Sequence, residues 1–183
     1  MGPALLLTGR PGVGKTTAIR AVIDRSGLHA GGFLTEEIRE GGRRVGFRLI
    51  ALDRSTEVAT LADVNNASPH RVGKYGVNLD ELERVGVAAL WRAIEEPGVG
   101  LIVIDEIGKM ELFSGHFCAA VDASLESPKP VLAAVMLGRQ HWVDALKARS
   151  DVTLVPITAA NRHEMPERTL RWLSQARAQS HAI

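Results

Sequence analysis

Two short stretches of the chain concentrate the residues able to do chemistry. In TGRPGVGKTT, residues 8–17, Gly9, Gly14, Lys15 and Thr16 stand at the spacing G-x-x-x-x-G-K-[ST]. Glycines at those places let the backbone turn so that several N–H groups converge on one anion. The helix that follows adds the positive end of its dipole. A lysine there brings a charge to the β- and γ-phosphates of a nucleotide, and the threonine hydroxyl can ligate Mg²⁺. Gly9, Arg10, Pro11, Gly12, Val13, Gly14, Lys15, Thr16 and Thr17 are therefore the expected nucleotide-binding loop, with Thr17 making at most one phosphate contact. The bland reading is a glycine-rich turn between strand and helix. Motif, position and flanking pattern together outweigh it.

The second stretch is VIDEIGKMEL, residues 103–112, where Asp105 and Glu106 follow the apolar run LIVI. Two adjacent acids at the end of a buried strand repel each other and lose hydration, so each needs a partner. A phosphate-binding loop calls for a second acid at the tip of a nearby strand. Asp105 fills that place, as a ligand of Mg²⁺ held through water. Glu106, one residue on, can reach the water that attacks the γ-phosphorus. As a general base it would contribute on the order of 10²–10⁴ in rate. The alternative for Glu106 is an acid at a helix N-terminus, favoured by the dipole alone.

The elements that must position these residues can be read from periodicity. Apolar runs at residues 4–8, 99–104, 130–137 and 152–157 predict strands. Helical spacing predicts helices over 15–25, from 79 with Asn78 as cap, over 112–125, 141–149 and 165–178. Strands alternating with helices imply a mostly parallel sheet covered on both faces. Residues 33–52, two strand-like runs around Gly41-Gly42, read as a β-hairpin inserted in that pattern, within about 31–52. Residues 55–75 are expected to be loop with short structure.

Bulk properties exclude several classes. The 183 residues suffice for one domain, 1–183, with a proper core. The net charge of +1 and the scattered Lys and Arg give no footprint for nucleic acid. No apolar run approaches a membrane span, and the N-terminal MGPALLL matches no targeting or lipidation signal. A single cysteine, Cys118, forbids an internal disulfide and fits a reducing compartment. A monomeric, cytoplasmic protein without nucleic-acid or membrane partners is expected.

GRPGVGKTT, GGFLTEEIREGGRRVGFRLIAL, RVGKYGVNL, VIDEIGKMEL and PITAANRHEMP occur here in order. Together they resemble the small P-loop nucleoside-triphosphatases of the THEP type, which include the animal cancer-related nucleoside triphosphatase. The resemblance runs from about residue 4 to 170. It implies an α/β P-loop NTPase fold, RecA-like, with the inserted hairpin. It also implies slow, Mg²⁺-dependent hydrolysis of several nucleoside triphosphates: ATP, GTP, CTP and UTP. On matching positions it implies phosphate contacts from Gly9 to Thr16, metal at Thr16 and Asp105, and water at Glu106, with Asn161 and Arg162 near the base. One departure from the family pattern is Met136, where relatives often carry histidine; a polar γ-phosphate sensor is then missing there.

Weaker candidates remain open. Arg39, Arg43, Arg44 and Arg48 cluster on the hairpin. One of them, Arg44 in the first place, could act on the γ-phosphate beside Lys15 and Glu106, a contribution on the order of 10³–10⁵ in other NTPases. The alternative is a strand edge kept soluble by charge. Strand alternation allows only one of Glu36 and Glu37 to face the site. Lys109 could pair with either acid if a helix begins near Glu106, and Arg71 and Lys74 could belong to a lid. His70, His116, His141, His163 and His181 show no metal-ligand spacing. A nucleoside or nucleotide kinase and a nucleotide-dependent switch are the competing functions. The kinase requires an acceptor pocket.

Overall fold

The structure, a computed structural model, describes the backbone of residues 1–180 and the side chains to residue 178; His181 lies outside the described residues. Among the described residues, nine strands form one sheet in the order β5-β6-β4-β3-β2-β7-β8-β1-β9. Strands β1 (Ala4–Thr8), β2 (Ala30–Glu40), β7 (Leu101–Ile107), β8 (Val131–Val135) and β9 (Val152–Pro156) make the parallel half. Strands β3 (Arg43–Ala51), β4 (Val58–Asp63), β5 (Arg71–Val72) and β6 (Tyr75–Val77) continue it as an antiparallel wing.

The central parallel strands β1 and β8 and the start of β7 are apolar on both sides because both sides are covered. Along β1, Ala4 and Leu6 join one core while Leu5 and Leu7 join the other. Ile102 and Ile104 divide from Leu101 and Val103 in the same way. Helices α3 (Ala88–Glu95), α4 (Gly115–Glu126) and α5 (His141–Lys147) cover the first face; α1 (Lys15–Ser26) and α6 (Met165–Ser180) cover the second. The Asn78 side chain accepts from the Glu81 N–H, capping the one-turn α2 (Leu79–Glu81) that leads through a π-helical stretch, Leu82–Val87, into α3.

Three expectations need correction. Residues 55–75 are more ordered than their polarity suggests: β4 pairs with β3, and β5 with β6 forms a small hairpin beyond it. These strands are edge elements with one exposed face, so they lack a continuous apolar run. The α-helix after the two acids begins at Gly115, where the Ser114 side chain accepts from the Phe117 N–H; the expected start at 112 falls in a separate 3₁₀ turn, Glu111–Phe113. Consequently Glu106 is a strand residue, and neither it nor Lys109 stands in a helix. The reading of Glu106 as a helix N-terminal acid is therefore removed. Finally, β2 is more than half of a hairpin: its residues Ala30–Phe33 pair with β7 in the parallel sheet. No helix among the described residues is long and apolar enough to cross a membrane.

The β2–β7 contact depends on one glycine. Gly32 has φ +95°, and a Cβ built on it would lie 2.1 Å from the Val103 carbonyl oxygen. The obstacle is backbone of the strand that carries Asp105, so it cannot swing aside. Gly32→Ala should cost more than about 2 kcal/mol in urea unfolding. Gly27→Ala, at φ +67° in open space, should cost only about 1–2 kcal/mol. Equal losses would contradict the close-approach account.

Candidate active site

The loop Gly9–Gly14 leaves the end of β1 and enters α1. Its path has no room for side chains at one glycine and no ordinary conformation at another. A Cβ on Gly9 would sit 2.6 Å from the Ile157 carbonyl oxygen, and Gly14 has φ +116°. Lys15, only 6% exposed, folds back to donate to the Gly9 carbonyl at 3.1 Å. This holds its ammonium over the mouth of the loop.

The parallel order sets what faces that ammonium. Strand β8 lies between β1 and β7, so the acids on β7 look across one strand at the loop. The Thr16 hydroxyl donates to Asp105 Oδ1 at 3.0 Å. Thr35 on β2 donates to Asp105 Oδ2 from both its N–H and its hydroxyl, each at 3.4 Å. The next side chain, Glu106, lies 3.7 Å from Lys15 Nζ. Strict alternation would send the two acids to opposite faces. The pairing of β7 with β8 shifts between Ile104 and Ile107, and both carboxylates reach the loop residues, Asp105 at Thr16 and Glu106 at Lys15.

These acids occupy different electrostatic states. Asp105 is 1% exposed, and burial pushes its carboxyl up to about 6 against the hydrogen bonds from Thr16 and the Thr35 N–H. All its bonded partners are neutral. Burial also raises Glu106, and the Lys15 charge pulls it back down. A third acid escaped the sequence reading. Glu111, 4% exposed, accepts from the Gly108 N–H at 3.1 Å and lines the same cleft. Burial pushes its carboxyl up to about 8, and the Glu106 and Asp105 charges add to the rise. Its only sequence signal was an acid between the apolar Met110 and Leu112. Thr35 was missed as well; it closes the apolar run GGFL just where the strand reaches the site.

The cleft has a volume of 980 Å³. Pro11, Gly12, Gly14, Lys15, Thr16 and Thr17 line one end, and Arg44, Phe47, Leu61, Val72 and Tyr75 line the other. Gly9 belongs to the lining, whereas Arg10 and Val13 do not; Val13 packs into the core under the loop. Arg44 donates to Glu37 at 2.7 Å and to the Tyr75 hydroxyl at 3.0 Å, with its guanidinium 5.0 Å over the Phe47 ring. Arg48 and Arg39 are paired with Glu36 and Glu37, while the exposed Arg43 stays outside the cleft lining. Both Glu36 and Glu37 line the cleft, where alternation allowed one. Alternation fixes the Cβ direction only, and each carboxylate is paired with an arginine that also lines the cleft, Glu36 with Arg20 and Glu37 with Arg44. Lys109 and Met136 also line the cleft. Arg71 instead ties down its own hairpin through the Asn66 and Lys74 carbonyls.

Asn161 and Arg162 stand apart from this cleft. The Asn161 side chain accepts from Thr158 N–H at 2.8 Å and donates to the Pro156 carbonyl at 3.1 Å. Arg162 lies beside Gly14, 3.9 Å from where its Cβ would be, and is not part of the cleft lining.

The family model described as NTPase matches residues 4–170. The chain belongs to this nucleoside-triphosphatase family. Within the family, the nucleoside-triphosphatase THEP1 of Thermotoga sp. (strain RQ2) is 47% identical over 161 residues, covering 88% of this chain and 90% of the relative. The THEP1 of Methanocaldococcus jannaschii is 40% identical over 169 residues, 91% and 94% of the two chains. Family members of known structure share the fold. The crystal structure of THEP1 from Aquifex aeolicus superposes with TM-score 0.82 at 34% identity, over 93% of this chain and 98% of that one. The solution structure of a human cancer-related nucleoside triphosphatase gives 0.77 at 37% identity, over 94% and 98%.

The buried Glu111 generates a prediction about stability. Its carboxyl titrates near its ordinary 4.5 in the unfolded chain and near 8 in the folded one. Between those values the folded state holds the extra proton, so stability falls as pH rises, by up to about 1.4 kcal/mol per pH unit. In melting of the nucleotide-free protein, Glu111→Gln should flatten this fall from pH 5 to 8. An unchanged slope would mean that the carboxyl is not buried as described.

Proposed function

We propose that the chain hydrolyses nucleoside 5′-triphosphates, ATP, GTP, CTP and UTP among them, slowly and with Mg²⁺, to the diphosphate and phosphate. Membership of the nucleoside-triphosphatase family gives the reaction class. The observation that carries the finer reading is the 3.7 Å contact between Lys15 and Glu106. It joins the phosphate-binding cation to an acid suited to activate water.

Magnesium fits the residues present. Thr16 Oγ1 and Asp105 Oδ1 are hard oxygen donors 3.0 Å apart beside the phosphate loop. Asp105 is buried among neutral partners, a charge that a cation would complete. When bound, Mg²⁺ would neutralise charge on the triphosphate oxygens.

The chain's own groups divide the remaining work. The loop N–H groups and Lys15 bind the β- and γ-phosphates. Taking Lys15 onto phosphate loosens its hold on Glu106, which then accepts a proton from water. The water oxygen bonds to the γ-phosphorus, and the bond to the β–γ bridging oxygen breaks. Arg44, at the other side of the cleft, is the arginine we assign to γ-phosphate charge. Asn161 shapes the loop that carries Arg162, whose guanidinium plane would stack on any base. Such loose recognition suits broad specificity.

Glu106→Gln should keep triphosphate binding and lose turnover by roughly 10²-fold or more in a phosphate-release assay. Unchanged turnover would refute the role. Asp105→Ala should instead raise the Mg²⁺ concentration needed for triphosphate binding, read by titration; an unshifted requirement would move the metal elsewhere.

A further inference from the structure

The cleft is larger than attack by water requires. Its 980 Å³ stands at the top of the range of small-molecule sites, and phosphate-binding residues line only one end. Beyond Glu106 the lining changes character. Phe47, Leu61, Val72 and Tyr75, from four strands of the antiparallel wing, make an apolar wall. The rings of Phe47 and Tyr75 meet edge-on at 5.2 Å. Met110 and the exposed Leu137 also line the cleft. With the base of the triphosphate toward Arg162, this end lies past the γ-phosphate and is left unused.

We infer that the aromatic end is an acceptor site for an uncharged, planar heteroaromatic alcohol of the nucleoside class, to which the enzyme transfers the γ-phosphoryl group. The inference rests on the proposed role of Glu106. In the transfer, the acceptor hydroxyl oxygen bonds to the γ-phosphorus and its proton passes to the Glu106 carboxylate. The bond from phosphorus to the β–γ bridging oxygen breaks, releasing the diphosphate. Hydrolysis is the same displacement with water in the acceptor's place.

The chemistry of the pocket selects the acceptor. In the free protein the Arg44 guanidinium lies 5.0 Å over the Phe47 ring, and its move to the γ-phosphate opens that face to a flat ring, on which any base stacks. An acceptor carrying its own phosphate fits poorly. Of the cations in the lining, Lys15 and Arg44 are taken by the triphosphate and Arg20 is paired with Glu36, which leaves Lys109 alone against the carboxylates of Glu36, Glu37 and Glu106. A phosphate acceptor at neutral pH also has no need of the base that Glu106 supplies, whereas a hydroxyl must lose its proton.

The test supplies Mg²⁺ and ATP labelled in the γ-phosphate, with adenosine, guanosine, cytidine or thymidine in turn. Labelled phosphate is then resolved from labelled nucleoside monophosphate. Transfer to at least one nucleoside is expected. Phe47→Ala should reduce that transfer roughly tenfold to hundredfold, the loss of one stacked base. The ratio of transfer to phosphate release should fall by the same factor, because losing the Arg44 packing on Phe47 weakens both reactions alike, and the KM for ATP should not change. Phe47→Leu, which keeps packing volume and removes the aromatic face, decides the matter if the alanine variant folds poorly. Phosphate release without transfer to any of the four would overturn the acceptor site and leave the hydrolysis reading intact. Loss of both would overturn both. A raised KM for ATP in Phe47→Leu would overturn the acceptor site by placing the triphosphate's own base there.

Discussion

The desolvation of Asp105 is the constraint on which the site depends. A carboxylate at the tip of a strand buried on both faces is costly unless its oxygens find donors. Here Thr16 from the phosphate loop and Thr35 from the neighbouring strand supply them. Those bonds tie together three separate parts of the chain: the helix after β1, the end of β7 and the middle of β2. The donors are neutral, and burial still holds the carboxyl near 6. The site is thus built around a charge only partly satisfied by the protein, beside a loop made for phosphate.

Glu106 shares the strand and differs in its surroundings. It meets a cation, Lys15, and it faces the open cleft. The separation of β1 from β7 by β8 gives the two acids space to stand opposite the loop, and Met136, just beyond β8, looks into that space. Glu111 closes the turn behind them by accepting from Gly108. Three acids in one small region can coexist because one is hydrogen-bonded to threonines, one is paired with a lysine and one holds its proton.

Much of this was legible in the sequence, and the reason is local. The phosphate loop needs glycines, a lysine and a hydroxyl at fixed spacing, so the spacing is itself visible. Strands β1 and β8 and the start of β7 are buried on both faces, so each is an unbroken apolar run, and β1 was read to the residue. The antiparallel wing was only half legible. The β2–β3 hairpin announced itself through Gly41-Gly42, whereas β4, β5 and β6 have an exposed face and polar residues such as Asp63 and Arg71. Thr35 and Glu111 were hidden for another reason. Their importance comes from contacts with residues 70 positions away in one case and with a folded turn in the other. Composition and period carry no trace of either.

The central claim is that a triphosphate takes Lys15 from Glu106 and leaves that carboxylate to hold the attacking water. The most direct measurement is a crystal structure with Mg²⁺ and a non-hydrolysable triphosphate analogue. The account predicts Lys15 Nζ on a γ-phosphate oxygen, and Glu106 within hydrogen-bond distance of a water in line with the γ-phosphorus. A Lys15–Glu106 pair still closed at 3.7 Å, or a Glu106 turned away from that water, would contradict it.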